Sequence, residues 1–225
     1  MEELELIKLV IFDLDGTLVD SARQIICAVE QTRDELEFTH ADSEFLKSKI
    51  GLPAKELFAD LHLTESEITI AISVFRSHLR KLPLNQNDVF DGVQKLLNHL
   101  KLQRRQVAVA TNKPTELAQL ALHETKLLSL IDLVVGSENL HPKPDPASIN
   151  KCLDNFQIIS KQAVMIGDRC EDMLAAARAG VSGIGVLQGS HTSVELKNAG
   201  AKEIFSNISD LHLRLSEGWG FENIQ

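Results

Sequence analysis

Leu9-Val10-Ile11-Phe12-Asp13-Leu14-Asp15-Gly16-Thr17 is the stretch on which the reading of this chain turns. Its first four residues are uniformly apolar rather than alternating, which suits a strand buried on both faces, as in a parallel sheet. The run stops at two carboxylates spaced i and i+2, followed by Gly16 and Thr17. Other short apolar runs also end in polar or glycine punctuation: 107–110 at Thr111-Asn112, 133–135 at Gly136, 164–166 at Gly167-Asp168 and 184–187 at Gln188-Gly189. Helical periods separate the runs. Val93, Leu96, Leu97 and Leu100 share one helical face, and the alanine-rich stretch 172–179 stops at Gly180, a good helix terminator. This alternation predicts an α/β fold with a Rossmann-like, doubly wound parallel sheet.

One segment breaks the rhythm. Residues 21–84 show helical pattern after helical pattern and no convincing strand. Ile25, Ile26, Val29 and Leu36 lie close to one face of a first helix, and Thr64-Glu65-Ser66-Glu67 reads as a capping box opening a helix that runs towards Leu82. The predicted organisation is therefore an α/β core formed by residues 1–20 and 85–225, with an inserted all-helical cap domain at 21–84. The stretch 217–225 has little periodicity and reads as a loosely held tail.

Composition narrows the function. Basic residues number 23 and acidic residues 32, a net charge of −9, which argues against general binding to nucleic acid or to an anionic membrane surface. Nine Phe, one Trp and no Tyr make an aromatic base-stacking platform a poor fit. Cys27, Cys152 and Cys170 are widely spaced and odd in number, forming neither a zinc pattern nor a disulfide framework. No run approaches the roughly 18 apolar residues of a membrane span. The leading Met-Glu-Glu-Leu-Glu is acidic where a secretory signal would be basic, so a soluble, cytoplasmic protein is expected.

Two readings of Asp13-Leu14-Asp15-Gly16-Thr17 stand side by side. It is a turn that ends a strand, or it is a pair of mutually repelling carboxylates that a hard cation such as Mg²⁺ would hold together. The other strand ends bear on the choice. Thr111-Asn112 offers a hydroxyl, a side-chain amide and backbone N–H groups to an anion. Asp168 and Asp172 offer further carboxylates, and Lys143 lies within Pro142-Lys143-Pro144-Asp145-Pro146, where prolines restrict the backbone. Taken singly, each has a structural explanation as a strand cap, an N-cap or a solvated side chain. Taken together, all of them fall on one rim, where open α/β sheets bind ligands.

At this point Asp13-Leu14-Asp15-Gly16-Thr17-Leu18-Val19-Asp20-Ser21, Thr111-Asn112-Lys113-Pro114, Lys143-Pro144-Asp145-Pro146 and Gly167-Asp168…Asp172 resemble four ordered motifs of the haloacid dehalogenase superfamily of phosphohydrolases. The resemblance runs from about Lys8 to Leu211, and the helical insert between the first two motifs is similar to the subgroup with a small helical cap. Ile50-Gly51-Leu52-Pro53 and Thr111-Asn112-Lys113-Pro114 look most like phosphoglycolate phosphatases. The resemblance implies Asp13 as nucleophile and Asp15 as general acid and base. It implies Mg²⁺ held by the Asp13 carboxylate, the Asp15 backbone carbonyl and Asp168, with Asp172 in or near that shell. Thr111, Asn112 and Lys143 would hold the phosphoryl oxygens, and Gly16 and Thr17 would support the turn. Dehalogenases of the superfamily lack the second motif aspartate, so Asp15 points to phosphoryl transfer.

The implied activity is a Mg²⁺-dependent phosphatase acting on a small phosphorylated metabolite, with 2-phosphoglycolate the leading substrate. A phosphosugar mutase, a pyrophosphatase or a nucleotidase would use the same scaffold, and an idle binding protein that has kept the fold is the alternative of another class. Three departures weaken the choice of one substrate: Arg169 where many relatives carry Ser, Gln188-Gly189-Ser190-His191 in place of a Gly-Tyr, and Asp91 in place of a proline. Within the cap, Lys47, Lys49 and Lys55 flank the Gly51-Leu52-Pro53 turn and are either a solvated face or contacts for a substrate carboxylate. Cys170 reads as a bystander thiol.

Overall fold

A computed structural model describes residues 7–217 and 220, so the acidic leader 1–5 and positions 218–219 and 221–225 of the expected tail lie outside the described residues. Six strands form one sheet: β1 (Leu9–Phe12), β2 (Gln106–Ala110), β3 (Leu133–Val135), β4 (Ala163–Gly167), β5 (Ser182–Val186) and β6 (Ala201–Phe205). The order is β3-β2-β1-β4-β5-β6 and every pairing is parallel. Strand β1 is central, with Phe12 in register with Val109 of β2 and Ile166 of β4. That register brings Asp13, Thr111 and Asp168 to one edge of the sheet. The order reverses direction between β1 and β4, and ligands of doubly wound sheets bind at such a switch point.

The continuous apolar runs have the predicted cause. Val10 and Phe12, with Val107, Val109, Val164 and Ile166, face one core; Leu9 and Ile11, with Ala108, Ala110 and Met165, face another. Helices α4 (Val93–Leu102), α5 (Thr115–Glu124) and α9 (Ile208–Ser216) contribute to the first core, α6 (Ala147–Phe156) and α7 (Cys170–Arg178) to the second. Helix α8 (Ser193–Asn198) precedes β6. Two expectations shift by a few residues: the strand expected at 184–187 runs Ser182–Val186, and the helix expected at 172–179 begins at Cys170. Strand β6 went unread because Lys202 and Glu203 break its apolar character, as suits an exposed edge strand.

Between β1 and α4 the chain forms α1 (Ala22–Glu35), α2 (Ser43–Lys49) and α3 (Glu65–Lys81), with short 3₁₀ turns and no strand. These helices share a third apolar cluster that includes Ile25, Val29, Leu46, Phe58, Phe75 and Leu79. Thr64 caps α3 through the reciprocal box with Glu67 that the sequence predicts. Arg33 is buried in this unit. Its terminal nitrogens meet both oxygens of Asp60, at 3.1 and 2.6 Å, and the carbonyls of Thr39 and Leu57. Leu84, on the return path, already packs with the first sheet-side core.

Candidate active site

The site forms where β1, β2 and β4 end. Asp13, Asp168 and Asp172 are buried, and each turns an oxygen to within 4.8 Å of the others. Lys143 is buried beside them. Its ammonium donates to Asp13 Oδ1 at 2.7 Å, Asp172 Oδ1 at 2.6 Å and the Ala110 carbonyl at 2.9 Å, which uses all three of its protons. The lysine reaches that point from a loop held by Asn112, whose Oδ1 accepts the Lys143 backbone N–H at 2.9 Å.

Each carboxylate has its own support. Asp168 accepts the Thr17 hydroxyl at 2.9 Å and the Ser190 backbone N–H at 3.0 Å. Asp172, in the first turn of α7, accepts the Arg169 N–H at 3.0 Å. Asp15 stands apart from the trio: its Oδ1 takes Lys113 Nζ at 2.6 Å and the Ser21 hydroxyl. Glycine is required around Asp168 in two ways. Gly16 has φ +88° and an added Cβ would lie 2.7 Å from Asp168 Oδ2, while at Gly189 that distance would be 1.9 Å.

Electrostatics follow from this crowding. Burial is the largest influence on Asp13; Asp172 and Asp168 add to it and Lys143 opposes it, leaving a pKa pushed up to about 8. Burial, then Asp172, lifts Asp168 to about 6 against hydrogen bonds from Ser190 and Thr17. Burial works against the Lys143 ammonium, but Asp13 and Asp172 outweigh it and hold its pKa above the ordinary lysine value. Three buried carboxylates crowd together and a single ammonium bonds two of them, Asp13 and Asp172. A divalent cation between them would relieve the repulsion, and an all-oxygen donor set suits Mg²⁺.

The structure brings Asp13, Asp15, Thr111, Asn112, Lys143, Asp168 and Asp172 to one rim. The carboxylate cluster is made with Asp172 as its third member, whereas the Asp15 side chain turns to Lys113 and Ser21. Asn112 is engaged at both ends of its amide, by Lys143 N–H and by the Gly51 carbonyl at 3.0 Å. Thr111 Oγ1 accepts the Lys113 N–H at 3.2 Å. The three lysines singled out in the 21–84 insert separate: Lys47 is exposed and paired with Glu44, Lys55 is exposed, and Lys49 is half-buried with its ammonium over the Phe45 ring.

Four groups near the site carried no sequence-based role. Lys113 lies inside a quoted motif, and its pairing with Asp15 needed the third dimension. Ser21 is likewise inside the first motif. Arg169 donates to the carbonyls of Ile50 at 2.7 Å and Ser48 at 3.3 Å, joining α7 to the turn after α2. Arg76 of α3 lines a cavity of about 40 Å³ together with Asp15, Asn112, Lys113 and Lys49. A larger cavity of about 380 Å³ lies on the other side of Ile50, lined by Gly16, Ser21, Lys47 and Ser190 among others. Cys170 is half-buried, with burial pushing its thiol pKa up, and its N–H donates to His191 Nδ1 at 3.2 Å.

Buried, mutually repelling carboxylates at the ligand-binding end of a doubly wound sheet are the site of an enzyme. The chain belongs to the family described as Haloacid dehalogenase-like hydrolase, whose model matches residues 10–186. It is 34% identical over 209 residues to "Probable phosphatase IndB" of Dickeya dadantii, covering 90% of this chain and 91% of that one. It is 29% identical over 218 residues to "Phosphoglycolate phosphatase" of Colwellia psychrerythraea, covering 92% and 96%. A predicted phosphatase from Clostridium acetobutylicum, solved by crystallography, superimposes with a TM-score of 0.83 at 32% identity, covering 94% of this chain and 99% of that one. Within the family the chain is a phosphoric monoester hydrolase. Among the described residues no helix is long and apolar enough to cross a membrane.

Proposed function

We propose that the chain is a Mg²⁺-dependent cytoplasmic phosphatase that hydrolyses a small phosphomonoester, 2-phosphoglycolate foremost, through an aspartyl-phosphate. The observation that carries the reading is the division of labour between two carboxylates one residue apart. Asp13 is buried in the trio beside Lys143, while Asp15 faces the small cavity and is held by Lys113 and Ser21. In the first step an Asp13 oxygen bonds to phosphorus as the bond from phosphorus to the leaving oxygen breaks, and Asp15 gives that oxygen its proton. In the second, water bonds to phosphorus, the Asp13 ester breaks, and Asp15 takes the proton back from the water. Lys143 offsets the negative charge around Asp13 throughout, and the Thr111 hydroxyl and the Asn112 backbone N–H are the groups offered to the phosphoryl oxygens, the Thr111 N–H being taken by the Val135 carbonyl.

Asp13, Asp168, Asp172 and the Asp15 carbonyl would hold Mg²⁺, which supplies charge neutralisation at the phosphoryl oxygens. Residues 21–84 act as a cap over this site. Two bonds from core residues to the Gly51 turn support that role: Asn112 to the Gly51 carbonyl and Arg169 to the Ile50 carbonyl. The small cavity with its three cations favours a compact anionic leaving group, and a relative bearing the name phosphoglycolate phosphatase supports the same substrate. The larger cavity beyond Ile50 favours a second reading, a sugar phosphate or nucleotide whose bulk lies there.

A phosphate-release screen over small phosphorylated metabolites, with Mg²⁺ and with a chelator, tests the proposal. Fastest release from 2-phosphoglycolate, lost on chelation, is the expected result. Sugar-phosphate interconversion with little free phosphate would favour a mutase, and no hydrolysis of any phosphomonoester would sink the reading.

A further inference from the structure

Arg76 projects from the middle of α3 into the small cavity, opposite Asp15, Asn112 and Lys113. Its Nε is buried and has no hydrogen-bond partner among the described residues, and its side chain forms no ion pair with any of them. The Arg33 guanidinium of the same unit also has an unmatched buried Nε, so the difference lies in its charge: Asp60 and two carbonyls take both Arg33 terminal nitrogens, whereas Arg76 has no carboxylate paired with it among the described residues. Leaving a buried donor unmatched costs free energy, and leaving part of a guanidinium unmatched costs more. Glu138 is close enough for its carboxyl to feel the Arg76 charge, but it is turned to the backbone and hydroxyl of Thr115. Lys113 is already matched by Asp15, so Arg76 and Lys49 are the cations of the cavity wall that form no ion pair among the described residues.

We infer that Arg76 is the specificity residue of this enzyme, receiving a carboxylate on the leaving group of the substrate while Asp15 faces the oxygen that departs. The inference rests on the phosphatase reading and deepens it by naming the substrate class: phosphomonoesters of short hydroxy acids. A guanidinium presents parallel N–H groups that match a carboxylate in two bonds, which an ammonium does not do. The remaining walls, Ile25, Phe75 and Leu79, are apolar and suit a methylene; they offer nothing to the hydroxyls of a sugar. The volume of about 40 Å³ admits a group of only a few heavy atoms. Of the cap cations, Lys47 lines the other cavity and Lys55 lines neither, so carboxylate recognition falls to α3, with Lys49 as a secondary charge.

The test compares Arg76→Met and Arg76→Lys with the unchanged enzyme on 2-phosphoglycolate and on ethyl phosphate, a phosphomonoester of similar size without a carboxylate. For Arg76→Met, kcat/KM on 2-phosphoglycolate should fall by about 10- to 100-fold, the range expected when a charged hydrogen bond is lost, and fall far less on ethyl phosphate. Arg76→Lys should recover part of the loss, with a melting temperature that shows both variants folded. Equal losses on the two substrates, or no loss on either, would overturn the assignment. Equilibrium binding of 2-phosphoglycolate to Asp15→Asn, with and without Arg76→Met, separates the two readings. If the unchanged enzyme releases no phosphate from either ester yet Arg76→Met weakens this binding, the phosphatase reading fails and the Arg76 assignment stands. If phosphate is released and the binding is unaffected by Arg76→Met, the Arg76 assignment fails alone.

Discussion

Asp13 and Asp15 are separated by one residue, and a continued strand would point both to the same side; their carboxylates meet different partners because β1 ends at Phe12 and the chain turns at Gly16. One joins the buried trio and Lys143; the other meets Lys113 and Ser21. With Asp15→Asn, phosphate release should fall by about 10²–10⁴-fold, the usual worth of a positioned general acid and base, while inhibition by orthovanadate persists. Near-normal turnover in that variant would remove Asp15 from the proton transfers. A second residue-scale prediction concerns Gly189. Its added Cβ would come within 1.9 Å of Asp168 Oδ2, so Gly189→Ala must push that carboxylate or the 188–190 turn aside. Activity should drop sharply, and added Mg²⁺ should stabilise the variant less than the unchanged protein in a thermal melt; an unchanged Mg²⁺ effect would contradict this. The carboxylates and Lys143 were legible in the sequence because four spaced motifs carry them. Gly189 and Arg76 were not, since their importance lies in what stands opposite them across 21 residues of chain in one case and across the small cavity in the other.

At the scale of elements, β1 was legible because burial on both faces leaves no room for polar alternation, and the same held for β2 to β5. Strand β6 escaped because an edge strand carries its charges for solubility, and strand ends moved by a residue or two where hydrogen bonding rather than hydrophobicity sets the limit. Helix α3 was announced by its capping box and matters because it carries Arg76. Thr64→Ala removes the oxygen that caps Glu67 N–H and should cost about 1 kcal/mol, read as a lower urea midpoint with an unchanged slope. Hydrogen bonds from the Thr64 side chain and backbone hold the Glu67 carboxyl below its ordinary pKa. The contribution of Glu67 is therefore present above the unfolded value and is lost as pH falls through the folded one, so the difference between Thr64→Ala and the unchanged protein should shrink in acid. A difference that grows in acid would refute this cap account.

Across the whole molecule, a net charge of −9 is compatible with an anionic substrate because local charge, not the total, governs the site. Burial puts Asp13 at about 8 and Asp168 at about 6, both above the ordinary carboxylate value of 3.8. For a carboxylate raised in this way the folded state prefers the protonated form. Its contribution is thus favourable at low pH and is lost progressively as pH rises from about 4 to about 8. A divalent cation held by the trio would bind only its ionised form, so it would compete with those protons and restore what ionisation takes away. The rise in melting temperature produced by a fixed concentration of Mg²⁺ should therefore be small at pH 5 and larger at pH 8. Asp168→Asn should flatten that dependence, because it removes one of the three repelling charges and one oxygen donor together. Equal Mg²⁺ effects at both pH values, or an undiminished effect in Asp168→Asn, would place the cation elsewhere and leave the buried trio to be neutralised by Lys143 and protons alone.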